Sequence, residues 1–173
     1  SETAKDLEMA GAEILLIGTN TMHKIADRVE QAVSIPLVHI ADAVAAPIKA
    51  KNIKKVGLLG TEFTMRGEFY KERLARHGIE VLIPEENDAV RVNDVIFSEL
   101  CKGVFSKESL DAFLAIIERL KARGAEGVIF GCTEIGLLVP LERSPLPAFD
   151  SMKAHVEAAA ETAFGRNPLK KAS

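Results

Sequence analysis

The chain has 173 residues, with 22 basic and 25 acidic side chains, a formal net charge of −3, and 47% hydrophobic against 27% charged residues. That length and mixture give enough apolar surface for a real core and exclude intrinsic disorder as the main description. The slightly acidic balance carries no basic footprint for nucleic acid or an anionic membrane, no apolar run approaches the roughly 18 residues of a spanning helix, and two cysteines, Cys101 and Cys132, cannot make a disulfide framework or a four-ligand zinc site. The expectation is a protein of a reducing compartment, the cytoplasm, with no nucleic-acid or membrane partner.

In chain order, short apolar or β-branched runs alternate with longer stretches of helical period, the pattern of an α/β fold with parallel sheets flanked by helices. Residues 2–9 read as a helix stopped by Gly11, and 14–17 as a buried strand ending at Gly18-Thr19-Asn20-Thr21. A helix over 22–33 places Ile25, Ala26, Val29 and Val33 on one face. Pro36 opens a strand over 37–40, and 42–51 reads as a short helix broken or bent at Pro47. From Lys54 the pattern restarts with a strand over 56–59, a Gly60-Thr61 turn, a helix over 64–77 ending at Gly78, and a strand over 81–83 stopped by Pro84. The helical stretch 87–102 takes Cys101 into the core and ends at Lys102. Ser106 leads a helix to Arg123 with Leu110, Phe113, Leu114, Ile117 and Leu120 in register. A strand over 128–130 enters Gly131-Cys132-Thr133-Glu134, a last strand covers 147–149, a helix covers 153–164, and the tail 165–173 is basic. Two lobes are expected: residues 1–50 with 146–173, and residues 51–145, joined by a close crossover near 49–53.

An internal repeat supports the two-lobe reading. Residues 11–18, GAEILLIG, match residues 124–131, GAEGVIFG, at Gly11/Gly124, Ala12/Ala125, Glu13/Glu126 and Gly18/Gly131 without a gap, each at a helix–strand–turn. The repeat makes Thr19 the counterpart of Cys132, each leaving the carboxyl end of its strand. The second copy opens with a strand, a helix and another strand that the first does not have, so the first lobe is expected to be short by roughly 55 to 60 residues at its amino end.

Cys132 stands where open α/β sheets bind ligands, and a following helix would favour its thiolate, the reactive form. The same position also suits a buried structural cysteine. Thr19-Asn20-Thr21 offers hydroxyls, an amide and free backbone N–H groups that suit a carboxylate, and equally an ordinary N-cap in which Asn20 or Thr21 caps the next helix. Two such turns facing each other across a pseudo-twofold cleft would let one ligand meet both. His23 is placed to orient a neighbour; His39, His77 and His155 have no close metal-ligand spacing, and there is no dinucleotide or Walker fingerprint.

Gly18-Thr19-Asn20-Thr21-Met22-His23, Gly131-Cys132-Thr133-Glu134, the stretch from Gly57 to Met65 and the stretch from Asn93 to Gly103 together resemble the aspartate/glutamate racemases, over about residues 1–165. The resemblance implies two similar lobes with the substrate between them, no cofactor and no metal, an acidic amino-acid substrate and a homodimer. It also implies two cysteines on opposite faces of the substrate α-carbon, one removing a proton and the other returning one. Cys132 matches the second-lobe cysteine, but Thr19 stands at the first-lobe position, as in the threonine/cysteine branch that starts from L-aspartate or L-glutamate. By the same matching, Cys132 is the base and Thr19 supplies or relays the return proton. Asn20, Thr21 and Thr133 hold the α-carboxylate and amino group, Glu134 sets the thiol's protonation or meets the ammonium, and Lys102 meets the distal carboxylate. Related isomerases or decarboxylases, hydantoin racemases and a non-catalytic ligand-binding remnant are the alternatives.

Overall fold

The structure is a computed structural model and describes residues 1–165, so the remainder of the basic tail lies outside the described residues. Helix α1 (Glu2–Met9) leads to strand β1 (Leu15–Leu16). A 3₁₀ turn over Thr21–Ile25 runs into α2 (Ala26–Glu30), and β2 (Leu37–Val38) into α3 (Ile40–Ala50). The second part follows as β3 (Lys55–Leu59), α4 (Glu62–Arg66), α5 (Glu68–Ala75), β4 (Glu80–Leu82) and α6 (Glu86–Ser98). It continues through a 3₁₀ turn (Leu100–Lys102), α7 (Lys107–Ala122), β5 (Gly127–Phe130), α8 (Ile135–Leu138), β6 (Ala148–Asp150) and α9 (Ser151–Ala163).

All described strand pairs are parallel, in a two-stranded sheet β1-β2 and a four-stranded sheet of order β4-β3-β5-β6. Alternation along the strands separates two apolar layers. Leu59, Val128 and Phe130 face α6 and α7 through Val92, Ile96, Phe113, Ile117 and Leu120. Val56, Leu58 and Ile129 face α3, α5 and α9 through Val44, Ile48, Tyr70, Leu74 and Ala154. A smaller third core joins Ala4, Leu15, Ala26, Val29 and Leu37 around the short sheet.

Several elements differ from the sequence reading. The 22–33 helix winds first as a 3₁₀ turn, because the His23 N–H closes on the Asn20 carbonyl three residues back at 3.1 Å, and regular α-helix ends at Glu30. The helix expected over 64–77 is two, parted at Gly67, whose extended backbone (ψ 129°) leaves no room for a Cβ beside Phe69 and the Phe63 carbonyl. Pro47 does not break α3, which stays continuous, with Val44, Ala45 and Ile48 buried on either side of it. Residues 148–150, placed in the first lobe by the sequence reading, form β6 in the four-stranded sheet, since Val128 and Phe130 pair with Ala148 and Asp150. From there α9 turns back to the small sheet, where the His155 Nε2–H donates to the Val38 carbonyl at 2.7 Å.

The repeat has a conformational counterpart. Gly11 and Gly124 end α1 and α7 with φ of +94° and +93°, a region that favours glycine. Gly11→Ala and Gly124→Ala are expected to cost similar amounts, each about 1–2 kcal/mol, measured by urea unfolding; a cost at Gly124 with none at Gly11 would show the two helix ends to be inequivalent.

Candidate active site

The site is built where β3, β5 and β6 end together. Beyond Phe130 the ladder gains one more bond, the Gly131 N–H donating to the Leu59 carbonyl at 2.7 Å. A Cβ on Gly131 would lie 2.9 Å from Leu58 Cδ1 and 3.0 Å from the Leu59 carbonyl oxygen, and one on Gly60 3.1 Å from the Gly131 carbonyl oxygen. The turns after β3 and β5 therefore run side by side, with Thr64 packed against both glycines, and Cys132 emerges half-buried beside them.

Two ties bring the first-lobe turn to the same place. Within the turn the Thr19 hydroxyl oxygen accepts from the Met22 N–H at 3.1 Å, while Asn20 stands at the expected N-cap position but makes no side-chain capping bond. That bond leaves the hydroxyl proton of Thr19 available for donation. Asn20 is buried, its Nδ2 donating to Ser151 Oγ at 3.0 Å while Ser151 donates to the Phe130 carbonyl at 2.7 Å. Thr21 Oγ1 lies 3.0 Å from Thr64 Oγ1 and 3.5 Å from Thr61 Oγ1, joining the turns of the two lobes through three hydroxyls.

His23 locks this turn from behind. Its Nε2 accepts from the Ile40 N–H at 3.1 Å, so its Nδ1 carries the proton and donates to the Thr19 carbonyl at 2.8 Å. Its ring centroid lies 4.5 Å from that of His39 and 5.7 Å from that of His155. Burial above all pushes His23 down to about 4, and burial together with His23 pushes His39 down to about 3. Both imidazoles are therefore neutral above pH 5. Behind them Asp42 accepts from Arg73 and lies 2.7 Å from His77 Nε2; burial opposes its ionisation, but these partners hold its carboxyl below the usual range.

The expectation of a favoured Cys132 thiolate is not met. Burial, and then the hydrogen bond from Sγ to Glu134 Oε2 at 2.9 Å, push the thiol up to about 12. The helix that follows, α8, is a single turn beginning only at Ile135 and does not offset them. Burial also disfavours the Glu134 carboxylate, but hydrogen bonds from Cys132 and Thr133 outweigh it and hold the group below its ordinary value. Both shifts describe the same resting state, with the proton on sulfur and the charge on Glu134.

Cys101, expected in the core, is exposed: α6 ends at Ser98, and the 3₁₀ turn gives the buried place to Leu100. Lys102, the last residue of that turn, is exposed. Ser151, Thr61 and Thr64 were not singled out from the sequence, although Ser151 follows β6 and Thr61 follows Gly60 after β3, both at carboxyl ends of parallel strands where ligands gather. Among the described residues no group of three His, Cys, Asp or Glu side chains could hold a metal ion, and no helix is long and apolar enough to cross a membrane.

A thiol–carboxylate pair follows β5, and the Thr19–Thr21 turn is tied to Ser151, Thr61 and Thr64 at the ends of β6 and β3, within an α/β fold of parallel strands flanked by helices. The Asp/Glu/Hydantoin racemase family matches residues 1–159, and the chain belongs to that family. Among solved structures, it is 49% identical to a Yersinia pestis protein described as an Asp/Glu racemase candidate, covering 94% of this chain and 71% of that one, with a TM-score of 0.90. It is 36% identical to an aspartate racemase homologue from Pyrococcus horikoshii, covering 94% and 72%, with a TM-score of 0.86. The broad specificity amino-acid racemase RacX of Bacillus subtilis is 27% identical over 86% of this chain, which spans 63% of RacX, less than two-thirds of its length.

Two predictions follow from the electrostatics. Unfolded imidazoles take up protons near 6.5 but folded His23 and His39 only near 4 and 3, so the unfolded chain binds more protons in between. Stability should be level above about pH 7 and fall on acidification by up to about 1.4 kcal/mol per pH unit for each histidine. Chemical unfolding from pH 7 to 4 checks this, with a shallower slope for His23→Gln; an unchanged slope in that variant would mean that His23 takes up its proton as readily folded as unfolded. Glu134→Gln removes the carboxylate that stabilises the thiol, so in a Cys101→Ser background it should speed alkylation of Cys132 by iodoacetamide at pH 8 by about tenfold. Slower or equal labelling would mean that Glu134 does not hold the proton on sulfur.

Proposed function

We propose that the chain racemises an acidic amino acid, L-aspartate or L-glutamate, without a cofactor, with Cys132 and Thr19 on opposite faces of the α-carbon. The observation that carries this reading is the bond chain Asn20–Ser151–Phe130. It ties the Thr19 turn to the strand that ends one residue before the Gly131-Cys132 turn. Family membership and the racemase relatives support the reaction class.

The resting pair sets the order of proton movements. Binding a substrate ammonium beside Cys132 and Glu134 adds the positive charge that thiolate formation requires. Glu134, 2.9 Å from sulfur, receives the thiol proton. The thiolate then takes the α-proton, returning Cys132 to a thiol and leaving a carbanion whose charge spreads into the α-carboxylate. On the other face the Thr19 hydroxyl donates its proton to the carbon and regains one from water in the same relay, because a free threonine alkoxide is inaccessible at neutral pH. Glu134 releases its proton to solvent, which balances the cycle. Asn20, Thr21 and Thr133 hold the α-carboxylate and ammonium, and Lys102 turns toward the distal carboxylate.

The test is α-proton exchange and loss of optical rotation of L-aspartate and L-glutamate in deuterated water, without pyridoxal phosphate or metal. Cys132→Ala should abolish exchange, by about 10³-fold or more, and Thr19→Cys should bring the rates of the two directions closer together. Undiminished exchange in Cys132→Ala would overturn the assignment. Binding without exchange in the unaltered chain would favour a ligand-binding protein instead.

A further inference from the structure

His39 is a buried side chain with a donor to spare. It caps α3, its Nδ1 accepting from the Ala41 N–H at 3.1 Å, so the ring carries its proton on Nε2. That N–H makes no hydrogen bond with any described residue, although His39 is only 3% exposed. It is not sealed in protein either: among the described residues, the fully enclosed side-chain polar atoms without a partner are Asn20 Oδ1 and Tyr70 Oη. The donor therefore opens on a cavity, and His39 lines two.

One, of about 160 Å3, gathers other donors around it from the 3₁₀ turn after Thr19 and from α5. Arg73, with its side chain 15% exposed, commits Nε and Nη2 to Asp42 and Glu30, while Nη1 makes no hydrogen bond and stands 4.0 Å from Asp27 Oδ1. Lys24 and Arg76 line the same cavity and form no ion pair with any described residue. They stay unpaired although Asp27 and Glu72, also in the lining, are three and four positions away along the chain. The other cavity, of about 380 Å3, has Asp42, Glu157 and Glu161 as its charged lining, which suits no anionic acceptor.

We propose that the smaller cavity binds a phosphate group, with His39 Nε2–H and Arg73 Nη1 as its inner donors and Lys24 and Arg76 closing over it from the surface. The donor set gives the class: an imidazole, an ammonium and two guanidinium groups on three separate elements match a tetrahedral oxyanion better than a planar carboxylate. Asp27 and Glu72 oppose the charge and keep the binding modest. Lys24 and Arg76 have no carboxylate partner to give up. His23 lines the same cavity while its Nδ1–H holds the Thr19 carbonyl, so the phosphate sits behind the Thr19 turn, against the ring that fixes it. Binding there is independent of the racemase reading.

The test titrates the full chain with inorganic phosphate at neutral pH and constant ionic strength, following the His39 Nε2–H signal by nuclear magnetic resonance of the nitrogen-labelled protein. A saturable shift of that signal is expected. Lys24→Gln combined with Arg76→Gln, both surface changes, should weaken the binding about tenfold or more. His39→Asn, which keeps a side-chain oxygen to cap Ala41 but lacks the Nε2–H, should weaken it about tenfold as well; should that variant not fold, the His39 signal and the surface pair decide. No saturation, or saturation with the His39 signal unmoved, would overturn the site. Succinate shifting the signal as strongly as phosphate would overturn the phosphate assignment. Glycerol 3-phosphate distinguishes the sources: tighter binding than inorganic phosphate supports a phosphomonoester as the occupant, and weaker binding supports the free ion.

Discussion

Parallel pairing of β5 between β3 and β6 is the constraint from which the site follows. Because the three strands run the same way, their carboxyl ends come out together, and whatever leaves them is gathered at one edge of the sheet. Phe130, Asp150 and Leu59 are the last strand residues. Of the groups just beyond them, Ser151 and Thr61 meet the Thr19–Thr21 turn, and Gly131-Cys132 leaves its strand beside Gly60. Two glycines make that gathering tight enough for hydrogen bonds to pass between turns. An antiparallel neighbour would have sent Ser151 to the opposite end of the sheet and left Asn20 without its anchor.

The electrostatic character of the site is set by what is kept neutral. His39 and His155 each stand in ring contact with His23 behind the Thr19 turn, so a charge on His23 would sit against two further imidazoles. Burial avoids this by leaving His23 uncharged with a fixed tautomer, one nitrogen accepting and the other donating. At the front of the site the opposite choice is made: a full negative charge sits on Glu134 and is satisfied by the Cys132 thiol. The negative charge beside Cys132 is thus carried by Glu134, and the neutral His23 and His39 behind the Thr19 turn add no positive charge to it.

Much of this was readable from the chain itself. The short apolar runs 56–59 and 128–130 and the helical period of residues 110–120 depend on local side-chain order, and strands and a helix stand there. The matched GAE segments identified Thr19 and Cys132 as equivalent, and the positive φ of Gly11 and Gly124 is the backbone expression of the same match. What the sequence did not carry was long-range. The pairing of β6 with β5, and hence the arrival of Ser151 at Asn20, depends on contacts across 131 positions. The thiol's upward shift depends on burial plus the Glu134 side chain turning back two residues to meet it, a geometry that an expectation built on helix dipoles could not contain. Cys101 was misplaced because helical periodicity was extended past Ser98, where the winding tightens and rotates the face that meets the core.

The two bridges between the lobes differ in kind. Asn20 to Ser151 is directional: each atom has one permitted role, so displacement of either turn breaks it. The Thr21, Thr61 and Thr64 hydroxyls are interchangeable, each able to give or take a proton. Such a cluster can exchange partners while its backbone slides, so it behaves as a bearing beside a latch. The Asn20 bond therefore fixes the register of the two turns, while the hydroxyls around Thr21 tolerate small adjustments about it.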